Sequence, residues 1–161
     1  MVKKVLTLLL EGEALSTEQL AAVTGATPDE VRAALAELEE QRLLLGWRPV
    51  LHPRAIGEGS VRALIEVSIQ PERDGGFNRI AERIARFDQV ETCYLMSGGY
   101  DLMVIVSGKN LLAVATFVAE KLSTLGSVQS TATRFMLRCY KESGFLIESE
   151  TDTTDKPAVS P

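Results

Sequence analysis

The sequence predicts an α+β chain of two domains, and three observations carry that expectation. Apolar residues recur with helical spacing through the first forty positions, a looser alternation takes over near residue 60, and from there the elements follow the order β-α-β-β-α-β. A chain of 161 residues with 45% hydrophobic content can bury one moderate core or two small ones, so two domains is the upper limit.

Val2, Val5, Leu6, Leu9 and Leu10 lie at i, i+3, i+4, i+7 and i+8, the spacing of one buried helical stripe, and Gly12 ends it. Ser16 with Gln19 three residues on makes a capping box for a short second helix, "TEQLAAVTG", which stops at Gly25. Thr27-Pro28-Asp29-Glu30 repeats the start signal: Thr27 caps, Pro28 is preset for the first helical position, and Glu30 closes the box. The third helix then buries Val31, Leu35 and Leu38. In "RLLLGWRPVLHP" the apolar run is broken by Gly46, Pro49 and Pro53, which predicts a short two-stranded wing. Three helices with a tight turn before the third, followed by a wing, make a winged helix-turn-helix over 1–55. A small helical bundle with no partner has the same pattern. Trp47 is expected to anchor the core of this domain, and His52 to lie in a loop.

Beyond residue 60, "VRALIEVSIQ" reads as a strand, and "FNRIAERIARF" as a helix through Phe77, Ile80, Ile84 and Phe87. "VETCYLMS" and "YDLMVIVS" are strands. A helix, "NLLAVATFVAEKLSTL", follows with Leu111, Val114, Val118 and Leu122 inward, then a long last strand, "VQSTATRFMLRCYK". This order is the split βαβ, ferredoxin-like arrangement over 56–145, with two helices covering one face of an antiparallel sheet. The other face needs cover too, because "LMVIV" is too apolar to stay wet, so a partner sheet and a dimer or larger are expected. Between the second and third strands, "SGGYD" reads as a two-residue turn in which glycine supplies positive φ. The end, 146–161, is polar and acidic and predicts a flexible tail.

Composition excludes several function classes. Cys93 and Cys139 form no C-x-x-C and His52 is the only histidine, which argues against a zinc site or a cysteine–histidine nucleophile. In the predicted topology the two cysteines lie at opposite sheet edges, too far apart to bridge, and are expected to be small buried hydrophobes. No pair of carboxylates or oriented base recurs with catalytic spacing, so no enzyme, cofactor or metal is expected. No window approaches the roughly 18 apolar residues of a membrane span, and no signal-peptide cleavage site follows the start; a cytoplasmic protein is expected.

The winged helix-turn-helix, "SGGYDLMV" and "KLSTLGSVQSTATRFMLRCYK" together closely resemble the Lrp/AsnC family of bacterial and archaeal transcription regulators. The resemblance covers about 1–145. It is most specific at Ser97-Gly98-Gly99-Tyr100-Asp101 and at Leu122, Leu125, Gly126, Val128, Thr131 and Thr133. It implies binding to double-stranded DNA, dimers that often assemble to octamers through the C-terminal domain, and small effectors, usually amino acids, held between subunits. Gly98 and Gly99 then offer backbone N–H groups to an effector carboxylate, Asp101 takes the ammonium, Thr131 and Thr133 of the same or a neighbouring subunit offer hydroxyls, and Tyr100 either walls the site or closes the core.

For DNA, the first turns of the third helix are expected to enter the major groove, which nominates Thr27, Asp29, Glu30 and above all Arg32. Arg42 and Arg48, with Lys3, Lys4 and Arg54, are the remaining cations for phosphate. Family recognition helices usually carry several basic residues, often an arginine where Ala34 stands here. Residues 1–55 instead hold six Lys/Arg against eight Asp/Glu, a net of 6 − 8 = −2, a poor electrostatic footprint for DNA. The alternative function is therefore an amino-acid sensor or assembly module that acts through protein contacts.

Overall fold

The computed structural model describes residues 1–12, 14–56, 59–70 and 76–147. Most of the expected tail, 148–161, and the side chain of Arg54 lie outside the described residues. The chain divides into two compact units, Met1–Pro49 and Val50–Pro161, where the sequence reading sets the boundary at 55/56.

The first unit holds α1 (Val2–Leu10), α2 (Thr17–Thr24) and α3 (Pro28–Glu40). Both expected capping boxes form: Ser16 Oγ accepts from Gln19 N–H, and Thr27 Oγ from Glu30 N–H. Gly25 ends α2 at φ 69°, so the chain turns within three residues into the cap of α3. That tight turn makes a helix-turn-helix of α2 and α3. Two small cores meet on α3. Ala34 and Leu38 pack with Val5 of α1, and Val31 packs with Leu20 and Ala21 of α2. Leu10, expected in the α1 stripe, is exposed, so only the earlier members of that stripe reach the core.

The expected wing does not form: residues 41–52 contain no strand. Arg42 takes a left-handed φ of 56°, and the N–H groups of Leu43 and Leu44 turn back onto Leu38 O. Gly46 at φ 148° and the two prolines then interrupt the ladder donors that a strand pair needs. Trp47, expected in the core, is 64% exposed, because it sits on this unpaired segment. His52 precedes a 3₁₀ turn at Pro53–Ile56, the loop position expected for it.

The second unit runs β1 (Val61–Ile69), α4 (Asn78–Ala85), β2 (Val90–Leu95), β3 (Leu102–Gly108), α5 (Leu111–Phe117) and β4 (Val128–Phe135). Its sheet has the order β2-β3-β1-β4, antiparallel throughout, with β2 and β4 at opposite edges as the ferredoxin-like reading requires. Period-2 alternation sends Ala63, Ile65, Val67 and Ile69 of β1, with Leu102, Val104 and Val106 of β3, under the helices. Ile80 and Ile84 of α4, and Val114, Phe117 and Leu122, close that core. Phe87 stands edge-on to Phe117 at 5.5 Å.

Two departures have local causes. Of the expected stripe, Val114, Val118 and Leu122 reach the core while Leu111, in the first turn, is exposed; α5 passes into a π turn over Val118–Leu122, where Ser123 N–H reaches Val118 O. The wider turn brings Leu122 onto the face of Phe117, five residues earlier. The long last strand ends at Phe135 because β1, its partner, begins at Val61; Met136 N–H makes the final contact, to Arg62 O. Beyond it, Lys141–Glu142 (β5) and Phe145–Leu146 (β6) form a small hairpin, so Leu146 belongs to a strand and not to the tail. Gly108 ends β3 where an added Cβ would lie 2.8 Å from Val114 Cγ2; the strand approaches α5 too closely for a side chain.

Candidate nucleic-acid interface and effector loop

The exposed face of α3 carries Asp29, Arg32, Ala33, Ala36, Glu37 and Glu40. Two residues expected at DNA are already occupied. Glu30 Oε2 accepts from both the N–H (2.8 Å) and the hydroxyl (2.9 Å) of Thr27, and Thr27 Oγ accepts in turn from Glu30 N–H at 3.3 Å. The N–H of Thr27, with its hydroxyl, holds the Glu30 carboxyl below the usual carboxylate range. Asp29 and Arg32 form an ion pair at 2.5 Å with side chains 88% and 59% exposed. Arg42 stands at the left-handed turn that ends α3, and Arg48 on the extended segment beyond.

The loop between β2 and β3 is longer than the expected two-residue turn. Met96 N–H donates to Asp101 O at 2.8 Å, which leaves Ser97, Gly98, Gly99 and Tyr100 as a four-residue loop. Gly98 has φ 130°, a conformation that favours glycine. Gly99 lies outside the positive-φ region, and a Cβ there would meet nothing within 4 Å. Asp101 is anchored: its N–H donates to Val67 O at 3.1 Å, and its Oδ2 accepts from Ile69 N–H at 2.8 Å. The carboxylate thus satisfies β1 where the β1–β4 register shifts at Ser68/Ile69.

Thr131 pairs with Val67 and Thr133 with Ile65, so both hydroxyls stand half-buried on the helix-covered face. All of β1 separates them from β3, a displacement of about 10 Å across two strand spacings. Asp101 bonds to Val67, the strand partner of Thr131, so within a single chain β1 stands between the loop and the two threonines.

The open face of the sheet carries Leu64, Met103 and Ile105 with a charged network that sequence reasoning missed. Arg134 makes a bidentate contact with Glu66, at 2.7 and 3.1 Å, and its electrostatic neighbours include Tyr100. That contact lowers the Glu66 pKa. Arg62 donates to Glu142 at 2.9 Å, and its Nε lies 3.1 Å from Glu91 Oε2 without an aligned hydrogen bond. Ser107 Oγ also contacts Glu91. The signal was legible only in part, since charges at alternate strand positions become partners only once register is known. A groove of about 480 Å³ lies at the opposite end of β3 from the loop, lined in part by Gln89, Lys109, Thr116 and Lys121.

Both cysteines are free. Cys93 packs on the core, and burial pushes its thiol pKa up. Cys139 lies past the end of β4, not in a core, because the strand stops early; its thiol faces Lys141 O at 3.4 Å. Among the described residues no group of three or more His, Cys, Asp or Glu is placed to hold a metal ion, and no helix is long and apolar enough to cross a membrane.

Comparison with known proteins agrees with this architecture. The Lrp/AsnC ligand binding domain matches residues 62–146. An HTH-type transcriptional regulator of Bacillus subtilis, YugG, is 39% identical over 159 residues, covering 98% of this chain and 95% of that protein. The proline dehydrogenase transcriptional activator of Rhizobium radiobacter is 27% identical, covering 88% and 90%. Among solved structures, MtbAldR superposes with a TM-score of 0.73 at 20% identity, covering 89% of this chain and 97% of that one. The Neisseria meningitidis regulator NMB0573, in complex with L-Met, does so at 0.65 and 23%, covering 88% and 90%. A helix-turn-helix joined to a ferredoxin-like sheet, and a full-length relative at this identity, lead to one conclusion: the chain belongs to the Lrp/AsnC family of HTH-type transcription regulators.

Proposed function

We propose that the chain is a cytoplasmic regulator that binds double-stranded DNA through α3. It assembles as a dimer or octamer and answers to a small amino-acid-like effector held between subunits at the Ser97–Asp101 loop. The observation that carries the effector reading is Gly99. Neither its backbone nor its surroundings demand glycine, yet glycine leaves open space in front of the loop for a ligand to approach. Asp101 Oδ2 is engaged by Ile69, and its second oxygen is available to an ammonium group. The L-Met in the Neisseria structure supports an amino acid as the class of effector. Thr131 and Thr133, from the same or a second subunit, offer hydroxyls to that ligand.

Gly99→Ala tests the effector reading, because it leaves the fold intact and crowds the ligand. Calorimetry against a panel of amino acids should find one that binds the wild type and binds the variant at least tenfold more weakly, at equal thermal stability. Equal affinity in both proteins rejects the loop as the site.

A second reading, a sensor with weak or no DNA binding that acts through protein contacts, is favoured by α3 itself. Its one cation, Arg32, is already paired with Asp29, and Glu37 and Glu40 share the exposed face. Binding to the DNA upstream of the chain's own coding sequence, at two salt concentrations, separates the two. Specific protection with a normal salt slope supports the regulator, and no binding near physiological salt supports the sensor.

A further inference from the structure

From the geometry of the first turns of α3 we infer that Asp29 is a positioning residue for Arg32, orienting its guanidinium toward one guanine in the major groove. The inference rests on the reading that this helix binds DNA, and it names how the helix reads sequence. Arg32 is the one Lys or Arg within Pro28–Glu40. The Thr27 hydroxyl and Glu30 Oε2 are closed on each other in the capping box, so the hydroxyl donor of that pair is already spent. Ala33 and Ala36, exposed on the same face, carry no side-chain hydrogen-bonding group. Side-chain hydrogen-bond donation to a base from these turns therefore falls to Arg32, and Asp29 is the group that holds it.

The ion pair is suited to that task. Asp29 and Arg32 are one helical turn apart, and Oδ1 takes a single N–H from Nη2 at 2.5 Å. Guanidinium has five donors in a fixed fork, so the remaining N–H groups are enough for a bidentate contact to guanine O6 and N7. A free arginine must lose rotamer freedom on binding; one already held by a carboxylate on its own helix loses less. The same pair explains an acidic residue at a DNA-facing position, where its charge alone is unfavourable to phosphate.

The two roles for Asp29 predict opposite signs. If Asp29 only adds negative charge, Asp29→Ala tightens binding to every duplex alike. If it positions Arg32, Asp29→Ala weakens preference at one base pair and leaves non-specific affinity equal or higher. The test selects duplexes from a random-sequence pool with the full chain as wild type, Asp29→Ala, Asp29→Glu, Arg32→Ala and the double variant.

We expect Arg32→Ala to lose about 5- to 150-fold of discrimination at one G·C pair per half-site. Asp29→Ala should lose about 3- to 10-fold at that same pair, Asp29→Glu should recover part of it, and the double variant should match Arg32→Ala alone. Unchanged preference with uniformly tighter binding overturns the inference, as does loss at a different base pair that adds to the arginine's. Both results leave DNA binding standing. Retention of no duplex by the wild type rejects the DNA reading, and the inference with it.

Discussion

Asp101 is the residue whose meaning the structure changes most. The family resemblance gives it to an effector's ammonium, whereas the fold already uses one of its oxygens to satisfy the N–H of Ile69, which is 4% exposed. Asp101→Ala would leave that buried donor without an acceptor, at a cost of about 1–3 kcal/mol. Asp101→Asn keeps an acceptor in place and removes the charge. The expected result is a clear loss of thermal stability in Asp101→Ala, a small one in Asp101→Asn, and loss of effector binding in both. Full effector affinity in the asparagine variant would assign the carboxylate to the fold alone. Gly99 and Asp101 thus answer different questions: the glycine tests the ligand, the aspartate tests how far one side chain serves fold and ligand together.

At the scale of the element, the caps of α2 and α3 are the features where sequence and structure agree most closely. A capping box is local, so its three-residue spacing in "STEQ" and "TPDE" is enough to define it. The α3 box also sets a pH dependence. The Thr27 backbone N–H and hydroxyl hold the Glu30 carboxyl below its ordinary value, so the unfolded chain takes up the proton first as pH falls. Stability from this group is therefore present above the unfolded carboxyl value of about 4.3 and lost as pH drops through the lower folded value. Glu30→Gln keeps the box without the titration, and its melting temperature between pH 6 and 3 should fall less steeply than that of the wild type. Identical slopes would show that the box contributes nothing to acid sensitivity. Elements that need a distant partner were less legible. The wing and the end of the fourth strand have strand-like composition, yet the wing forms no strand, and beyond Met136 the chain leaves β1, with Lys141 pairing only in the small hairpin.

For the whole molecule, the decisive surface is the sheet face turned away from α4 and α5. Leu64, Met103 and Ile105 lie there in register among the Glu66–Arg134 and Arg62–Glu91 pairs, a mixture suited to burial against a second copy of this face. Ile105→Glu should keep the circular dichroism of the wild type while reducing the mass in solution to that of a monomer. Unchanged mass would move the self-association surface elsewhere. The alternation in "LMVIV" pointed to an apolar strand but did not say which half of it the helices would take. Leu102, Val104 and Val106 went under the helices, leaving Met103 and Ile105 half-buried on the open face.

What the sequence by itself determined is everything that depends on short-range spacing. This includes the three helices of the first unit, the capping boxes of α2 and α3, the β-α-β-β-α-β order with β2 and β4 at the edges, and a glycine-bearing turn before Asp101. Tertiary structure alone decided which polar groups were already taken. Asp101 holds Ile69, Arg134 holds Glu66, and Arg62 holds Glu142. Periodicity assigns a residue to a face, but a hydrogen bond needs two groups within about 3 Å, and that separation is set by strand register and helix packing rather than by position along the chain.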